Sequence, residues 1–277
     1  MNISSALEYG ENLLNKKNDA RYLLCCVIKR DLAFLFAHKE YVLTEEEEDL
    51  FVKYINERAS DKPIQYIIGS CEFMSLRFEV NENVLIPRQD TEILVESVIE
   101  KYKGKDVRIL DLCTGSGCIA ISLAKYLLGS KIVAVDVSKK ALDTAVINAK
   151  NNGVADRIEF VEMDILEDNL DEFIGCFDVL VSNPPYIPEN EYNLLDREVK
   201  EYEPRLALYA ENEGFEFYNV IVSKWKEVIK KEGLMALEVG LGEAKRLSEI
   251  MNNSFTDDIN IIKDYAGIDR VVLAVLS

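Results

Sequence analysis

From Val107 onward the apolar residues alternate between two periods, and that alternation limits the possible folds more than any other feature of the chain. Short β-type runs at Val107–Leu112, Lys131–Val135, Ile158–Val161, Phe177–Val181 and Gly233–Val239 are separated by helical segments around 117–127, 138–151 and 214–231. Strand–helix–strand units close as right-handed crossovers between parallel strands. The pattern therefore predicts an α/β domain built on a doubly wound, mostly parallel, Rossmann-like sheet. Two closing runs, Ile259–Lys263 and Arg270–Leu276, are expected to pair as a terminal hairpin. Sheets of this kind bind ligands beyond the carboxyl ends of their strands, so the residues after each run carry the functional information.

The front of the chain reads differently. Ile3, Ala6, Leu7, Leu13 and Leu14 recur at near-helical spacing, as do Leu23, Leu24 and Val27. Thr44-Glu45-Glu46-Glu47 is a capping box that opens a helix carrying Leu50, Phe51, Tyr54 and Ile55, and Asp61-Lys62-Pro63 interrupts the pattern. Phe73, Leu76, Phe78, Val80, Val84 and Ile86, broken by Asn81-Glu82-Asn83, suggest a β-hairpin that Pro87 ends. Asp90-Thr91-Glu92 then starts a helix that reaches about Tyr102. The expected division is a helical bundle over 1–70, a hairpin linker over 71–88 and the α/β domain over 89–277.

Charge and composition narrow the partners. The net charge is −18, of which residues 1–88 carry −4 and residues 89–277 carry −14. Binding to a nucleic-acid duplex needs a basic surface that neutralises phosphates, and none is visible, so no direct nucleic-acid substrate is expected. Lys139-Lys140 and Lys230-Lys231 read as solvated helix faces. No apolar stretch reaches transmembrane length, and the amino terminus lacks a basic-then-apolar signal; no membrane association and a cytoplasmic location are the expectation. The six cysteines, at 25, 26, 71, 113, 118 and 176, form no CxxC pair, and the single histidine, His38, lies in an apolar helical setting that suits packing better than ligation. No metal site is expected. Trp225, the one tryptophan, reads as core.

Two turns carry the chemistry. In Asp111-Leu112-Cys113-Thr114-Gly115-Ser116-Gly117 a strand runs into a glycine-rich turn, where Gly115 and Gly117 let backbone approach a ligand. Gly115-Ser116-Gly117-Cys118-Ile119-Ala120 also satisfies the dinucleotide pattern G-x-G-x-x-A, which leaves NAD and S-adenosylmethionine as rivals. Three acids, together with the Asn183 turn below, tip the choice toward S-adenosylmethionine; the first is Asp111, because a carboxylate at that strand end opposes a pyrophosphate but suits the ammonium of a methionine group. Asp136, ending the second strand, can accept from ribose hydroxyls in either case, and Asp164, after the third, can take the exocyclic amine of adenine. The chain also lacks a His or Tyr-Lys constellation placed for hydride chemistry.

The second turn is Asn183-Pro184-Pro185-Tyr186, directly after the fourth strand. Two prolines fix the backbone, so the Asn183 side chain and the Pro184 carbonyl are held as paired acceptors beside the aromatic face of Tyr186. Two acceptors and a ring suit a planar NH2 group.

In this order the motifs resemble those of the protein-(glutamine-N5) methyltransferases that modify peptide chain release factors. Besides the two turns, the resemblance rests on Pro63-Ile64-Gln65-Tyr66-Ile67-Ile68-Gly69, Glu72-Phe73, Leu85-Ile86-Pro87-Arg88-Gln89-Asp90-Thr91-Glu92, Tyr202-Glu203-Pro204-Arg205-Leu206-Ala207-Leu208 and Asp269-Arg270-Val271. It implies a class I methyltransferase sheet, S-adenosyl-L-methionine as cofactor, and the glutamine of a Gly-Gly-Gln loop as acceptor. A front helical domain would grip the release factor, with a monomer as the default state. The cofactor-binding residues are then Asp111, Thr114, Gly115, Ser116, Gly117, Cys118, Asp136, Asp164, Ile165 and Asn183. Asn183, Pro184 and Tyr186 are catalytic, and with Pro185 they bind the substrate. Cys118 stands where alanine is common, Ile165 where an aromatic often packs on adenine, and Glu243 where glutamine is frequent. Ribosomal-protein glutamine methylation and DNA adenine-N6 methylation are the nearest alternatives, and a non-catalytic module gripping a translation protein is the reading from another class. Asp90-Thr91-Glu92 favours the release-factor enzymes over the ribosomal-protein ones.

Overall fold

The computed structural model of the chain describes residues 1–14, 16–167, 170–252, 255 and 259–277. Its front half runs α1 (Ile3–Leu13), α2 (Lys17–Ile28), α3 (Leu32–Ala37), α4 (Glu45–Ala59), α5 (Ile64–Ile68), β1 (Ser70–Phe73), β2 (Leu76–Glu79), α6 (Glu92–Tyr102), β3 (Val107–Leu112), α7 (Cys118–Tyr126) and β4 (Ser130–Asp136). Then come α8 (Lys139–Asn151), β5 (Ile158–Glu162), β6 (Phe177–Ser182), α9 (Glu189–Tyr192), α10 (Arg197–Tyr202), α11 (Glu216–Ser223), β7 (Ile229–Glu238), α12 (Ala244–Met251), β8 (Ile259–Lys263) and β9 (Asp269–Val275). No described helix is long and apolar enough to cross a membrane.

The chain divides into two units, the first being Met1–Ser70 together with Asp196–Tyr202. Its core gathers the periodic apolar residues of α1, α2 and α4, among them Ile3, Leu23, Leu24, Phe51 and Ile55. The capping box of α4 forms as the sequence predicts: Glu47 N–H donates to Thr44 Oγ1 at 3.2 Å, and Thr44 N–H donates to Glu47 Oε2 at 2.9 Å. His38 is exposed rather than packed in a core; it caps the carboxyl end of α3 and stacks on Phe34 with ring centroids 4.2 Å apart. The segment 196–202 joins this unit through Arg58, which is 7% exposed. Its Nε donates to Asp19 Oδ2 at 2.7 Å, its Nη2 to Glu198 Oε2 at 2.8 Å and its Nη1 to the Lys62 carbonyl at 3.0 Å.

The second unit, Cys71–Leu195 with Glu203–Ser277, holds the predicted sheet. Strand order is β5-β4-β3-β6-β7-β9-β8. The first five strands are parallel, and β9 runs antiparallel to both β7 and β8. The closing runs do pair as a hairpin, with β9 inserted next to β7. Alternate residues of each central strand face opposite layers. Ile109, Val179 and Leu234 pack under α6 and α7, while Leu110, Leu180 and Met235 pack against α11, α12 and Trp225. Trp225 is fully buried and its Nε1 donates to the Ile165 carbonyl at 2.9 Å.

Two local expectations fail. The helix expected over 214–231 ends at Ser223, and β7 already begins at Ile229. Burying Trp225 needs a short 3-10 turn there, and Ile229 then pairs with Phe177. Lys230 and Lys231 therefore lie on a strand, not a helix face, and Lys230 Nζ reaches Asp178 Oδ1 at 2.7 Å. The hairpin turns at Met74-Ser75, not at Asn81–Asn83. Both turn residues have positive φ, +50° and +56°, the requirement of the primed turns that match strand twist. Neither is Gly or Asn, so no signal marked it; Asn81 instead accepts from the Asn83 N–H at 2.9 Å and turns the chain after β2.

Arg58 should dominate the stability of the helical unit. Arg58→Ala leaves two partly buried carboxylates without their cation and should cost about 3 kcal/mol in urea unfolding. Arg197→Ala, at an exposed pair screened by solvent, should shift the urea midpoint far less. Equal losses in the two variants would refute this account.

Candidate active site

Strand register assembles the site. Leu112 pairs with Ser182 on one side and Val135 on the other, and Asp136 pairs with Glu162. The chain leaves β3 toward β4 and β5, then returns to β6 on the far side of β3. That reversal is a topological switch point, and the segments after all four strands open at the same edge. Ser182 Oγ donates to the Leu112 carbonyl at 2.7 Å and ties the two central strand ends together.

After β3 the backbone turns sharply. Cys113 and Gly115 have φ of +60° and +55°, Thr114 N–H donates to the Val135 carbonyl at 2.9 Å, and Gly117 N–H donates to the Thr114 carbonyl at 2.9 Å. No heavy atom lies within 4 Å of a Cβ placed on Gly115, so its face of the turn is open. Gly117 serves a different purpose from the one its motif suggests. At φ +80° a Cβ there would come within 2.9 Å of Ile121 Cδ1 and 3.0 Å of Ala145 Cβ, so this glycine lets α7 and α8 pack. Thr114, Ser116 and Cys118 are buried within the turn. Asn148 of α8, fully buried, donates from Nδ2 to the carbonyls of Ser116 and Glu79, both at 3.0 Å, and accepts from Glu79 N–H at 2.7 Å. It clamps the turn to β2.

Asp111 sits behind the turn, fully buried. Its Oδ2 accepts from Thr114 Oγ1 at 2.6 Å and from Ala120 N–H at 3.2 Å, while Oδ1 has no partner. Burial pushes its carboxyl up to about 7, against the two hydrogen bonds that favour the charged form. Asp136 accepts from Gly115 N–H at 2.8 Å and Ser138 N–H at 2.9 Å; burial raises its carboxyl despite those donors.

A cavity of about 190 Å³ opens in front of the turn. Of the residues singled out from sequence it brings together Gly115, Asp136, Asp164, Ile165, Asn183 and Pro185. Asp111, Thr114, Ser116, Gly117, Cys118, Pro184 and Tyr186 do not line it. Segment 82–85, Leu206 and Phe217 also line it; Leu85 and Leu206 stand in motifs quoted from the sequence without a site role, and Phe217 carried no sequence signal. Among the described residues, the charged lining residues are Glu82, Asp136 and Asp164, with no Lys or Arg. Such a lining favours a cation and opposes a pyrophosphate.

The loop from Asn183 to Ile187 runs between this cavity and a second one of about 400 Å³, which Tyr186, Glu243 and Arg270 help to line. Asn183 Nδ2 donates to Thr91 Oγ1 at 3.2 Å, which turns Oδ1 away from Thr91. The far end of the loop is pinned where Ile187 N–H donates to the Leu208 carbonyl at 2.9 Å and Ala210 N–H to the Ile187 carbonyl at 3.0 Å. A Cβ on Gly214 would fall 2.3 Å from the Tyr186 carbonyl, and one on Gly240 would fall 3.0 Å from its ring, so two glycines make room for Tyr186. Burial raises the Tyr186 hydroxyl pKa and keeps it neutral. Glu203, 5% exposed, ties the 204–207 wall to the start of α6 by accepting from Arg88 Nη2 and from Ile86 N–H at 3.2 Å.

Comparison with known proteins agrees with this geometry. Residues 5–69 match the family described as PrmC N-terminal domain, and residues 88–207 match the methyltransferase small domain. A release factor glutamine methyltransferase of Clostridium acetobutylicum is 41% identical, with 99% of each chain covered. One from Chlorobaculum tepidum is also 41% identical, over 91% of this chain and 87% of that one. Among solved structures, the hMettl16 catalytic domain bound to a MAT2A hairpin is 18% identical and superposes with a TM-score of 0.58, covering 85% of this chain and 82% of that one. That likeness concerns the fold. With cover and identity at this level, the chain belongs to the release factor glutamine methyltransferase family.

Proposed function

We propose that the protein transfers a methyl group from S-adenosyl-L-methionine to the side-chain amide nitrogen of the glutamine in the Gly-Gly-Gln loop of peptide chain release factors. One observation carries the reading. Asn183 stands at the rim of a carboxylate-lined cavity with its NH2 group engaged by Thr91, so Oδ1 is the atom left for a substrate. The family's named acceptor supplies the rest.

The residues present fit the cofactor. Asp136 would take the ribose hydroxyls, Asp164 the adenine amine, and Ile165 with Met163 the faces of the ring. Gly115 leaves the turn open beside the methionine part, and Asp111 has an oxygen without a partner that an ammonium could balance. Thr114, Ser116, Gly117 and Cys118 hold the turn in shape. When bound, S-adenosyl-L-methionine supplies an electrophilic methyl.

A glutamine amide nitrogen is a weak nucleophile because its lone pair is delocalised into the carbonyl. Positioning must therefore supply much of the rate. Asn183 Oδ1 and the Pro184 carbonyl each accept one amide hydrogen and aim the nitrogen along the transfer line. Positive charge develops on that nitrogen as its bond to carbon forms, so both acceptors bind the transition state more strongly than the ground state. Tyr186, uncharged, packs against the amide plane, with Pro185 on the cofactor side of the loop. The helical unit holds the body of the release factor, in the cytoplasm where translation ends.

The direct test is to incubate the protein with S-adenosyl-L-methionine and a purified release factor, then fragment the Gly-Gly-Gln peptide by mass spectrometry. One methyl on the glutamine side chain is expected; an unmodified peptide with cofactor bound would overturn the substrate assignment. Asn183→Ala should lower kcat by roughly 10²- to 10³-fold while the cofactor Kd changes far less, and near-normal turnover would remove Asn183 from this role. Asp136→Ala should instead weaken calorimetric cofactor affinity by roughly 10-fold or more.

Asp111 adds a pH signature. Its raised pKa means that in the free protein the carboxyl is protonated below about 7, and stability from this group falls as pH rises toward that value. A bound ammonium favours the ionised form, so the thermal stabilisation given by S-adenosyl-L-methionine should grow between about pH 6 and about pH 7.5. Asp111→Asn should flatten that rise, and an unchanged slope would exclude Asp111 as the titrating group.

A further inference from the structure

Among the described residues β2 pairs with β1 alone, so its other edge has no strand beside it. An uncovered edge leaves backbone N–H and C=O groups that need partners. Side chains of α8 supply them. Asn148 Nδ2 donates to the Glu79 carbonyl at 3.0 Å, and its Oδ1 accepts from Glu79 N–H at 2.7 Å. One amide thus meets both backbone groups of one residue, as a neighbouring strand would. Asn152 Nδ2 donates to the Arg77 carbonyl at 3.0 Å. Of the two asparagines, Asn148 also reaches the glycine-rich turn: the other hydrogen of its Nδ2 goes to the Ser116 carbonyl at 3.0 Å.

The same stripe of α8 continues to the cavity. Ser138, which caps the helix, is followed by Ala141, Thr144 and Asn148 at intervals of three and four residues, so they share one face. Ser138 and Ala141 line the cavity in front of the turn. Thr144, 5% exposed, accepts from Asn81 Nδ2 at 3.2 Å. Asn81 in turn accepts from Asn83 N–H at 2.9 Å through Oδ1, and its carbonyl accepts from Val84 N–H at 3.1 Å. The residues folded in this way, 82–85, line the same cavity. At the trailing end Ile86 N–H donates to Glu203 Oε2 at 3.2 Å. The segment is therefore held by α8 before the cavity and by Glu203 after it, and the mechanism above leaves it unused.

We propose that Asn148 is a positioning residue for the cofactor: through it α8 holds the glycine-rich turn and segment 82–85 at a fixed separation, and that segment is a further part of the cofactor site. This deepens the proposed methyl transfer and rests on that reading for the identity of the cofactor. Asn148 does not line the cavity; it acts through Ser116 on one side and Glu79 on the other.

A fully buried amide with three hydrogen bonds is costly to disturb, because each lost bond leaves a buried backbone group unsatisfied. The turn and β2 therefore keep their places together. A ligand that enters a preset gap need not order the wall itself, which lowers the entropic cost of binding. The effect belongs to binding more than to transfer, since the bonds that pin the Asn183 loop run to Thr91, Leu208 and Ala210.

The test uses two asparagines that dock the same strand and differ in the bond to Ser116. Asn148→Ala should raise the calorimetric Kd for S-adenosyl-L-methionine by roughly 10-fold or more, and Asn152→Ala should leave it close to that of the unmodified protein. In turnover with a release factor, Asn148→Ala should raise the cofactor KM by a similar factor while kcat falls far less. Hydrogen exchange in cofactor-free protein, followed by mass spectrometry, reads the coupling itself. Asn148→Ala should speed exchange at residues 114–117 and 79–85 together, whereas Asn152→Ala should speed it around Arg77 alone. Should Asn148→Ala fail to fold, Asn81→Ala takes its place. That half-buried side chain releases the leading end of the segment, so cofactor binding should weaken while residues 114–117 keep their protection. Equal effects of Asn148→Ala and Asn152→Ala on Kd, or faster exchange at only one of the two places in Asn148→Ala, would overturn the proposal. So would an unchanged Kd in either Asn148→Ala or Asn81→Ala. If no form binds S-adenosyl-L-methionine while exchange in the cofactor-free protein follows this pattern, the cofactor reading fails and the coupling stands.

Discussion

The parallel pairing of β3 with β6 is the contact on which the site depends. Leu112 beside Ser182 places the glycine turn and the Asn183 loop at one sheet edge, and the Ser182 hydroxyl locks that register from the side. A slip by one residue would send every side chain of one strand to the opposite layer. The two cores prevent it, because Ile109 and Val179 belong to one layer and Leu110 and Leu180 to the other. Hydrophobic burial on two faces thus fixes a polar geometry at the strand ends. Neither turn could be aimed by its own residues.

Around that edge the protein keeps carboxyl groups where water is scarce. Asp111, Glu238 and Glu243 all have pKa values pushed up to about 7 by burial, and Asp111 and Glu238 each retain an oxygen without a partner. Unsatisfied buried polar atoms cost stability and persist where something else requires them. An ammonium reaching the turn would balance the first, and the charges of Arg270 and Arg88 favour the ionised form of the second. The counter-charges, Arg88 and Arg270, are themselves held by Glu203 and Asp264, so the field at the Asn183 loop is built from fixed groups. Fixed dipoles and charges need not reorganise as the reaction proceeds.

Much of this was legible because it is written locally. Alternating periods gave the sheet and its flanking helices, and strand limits agree within a few residues except at β7. The capping box at Thr44, the turn at Gly115 and the rigid loop at Asn183 each need only a handful of neighbours, so short patterns suffice to mark them. Where the reading failed, the cause lay outside the pattern. Burial of Trp225 ended α11 early, and a primed turn at Met74-Ser75 formed without the residues that usually announce one. Gly117 carries a motif's letter but serves helix packing.

The sequence by itself determined the α/β class, the two ligand-facing turns, the acidic character of the chain and the family to which its ordered motifs point. All of these rest on periodicity, backbone conformation or charge, which neighbouring residues set. Only the tertiary structure decided that Asp111 stands behind the turn, not in the cavity, that Asn148 clamps that turn to β2, and that segment 196–202 joins the helical unit through Arg58. It alone placed Thr91, 92 residues before Asn183 in the chain, against the Asn183 amide. Contacts of such separation form only once the sheet is paired and its core closed, because burial across distant strands, and no local propensity, brings those side chains together.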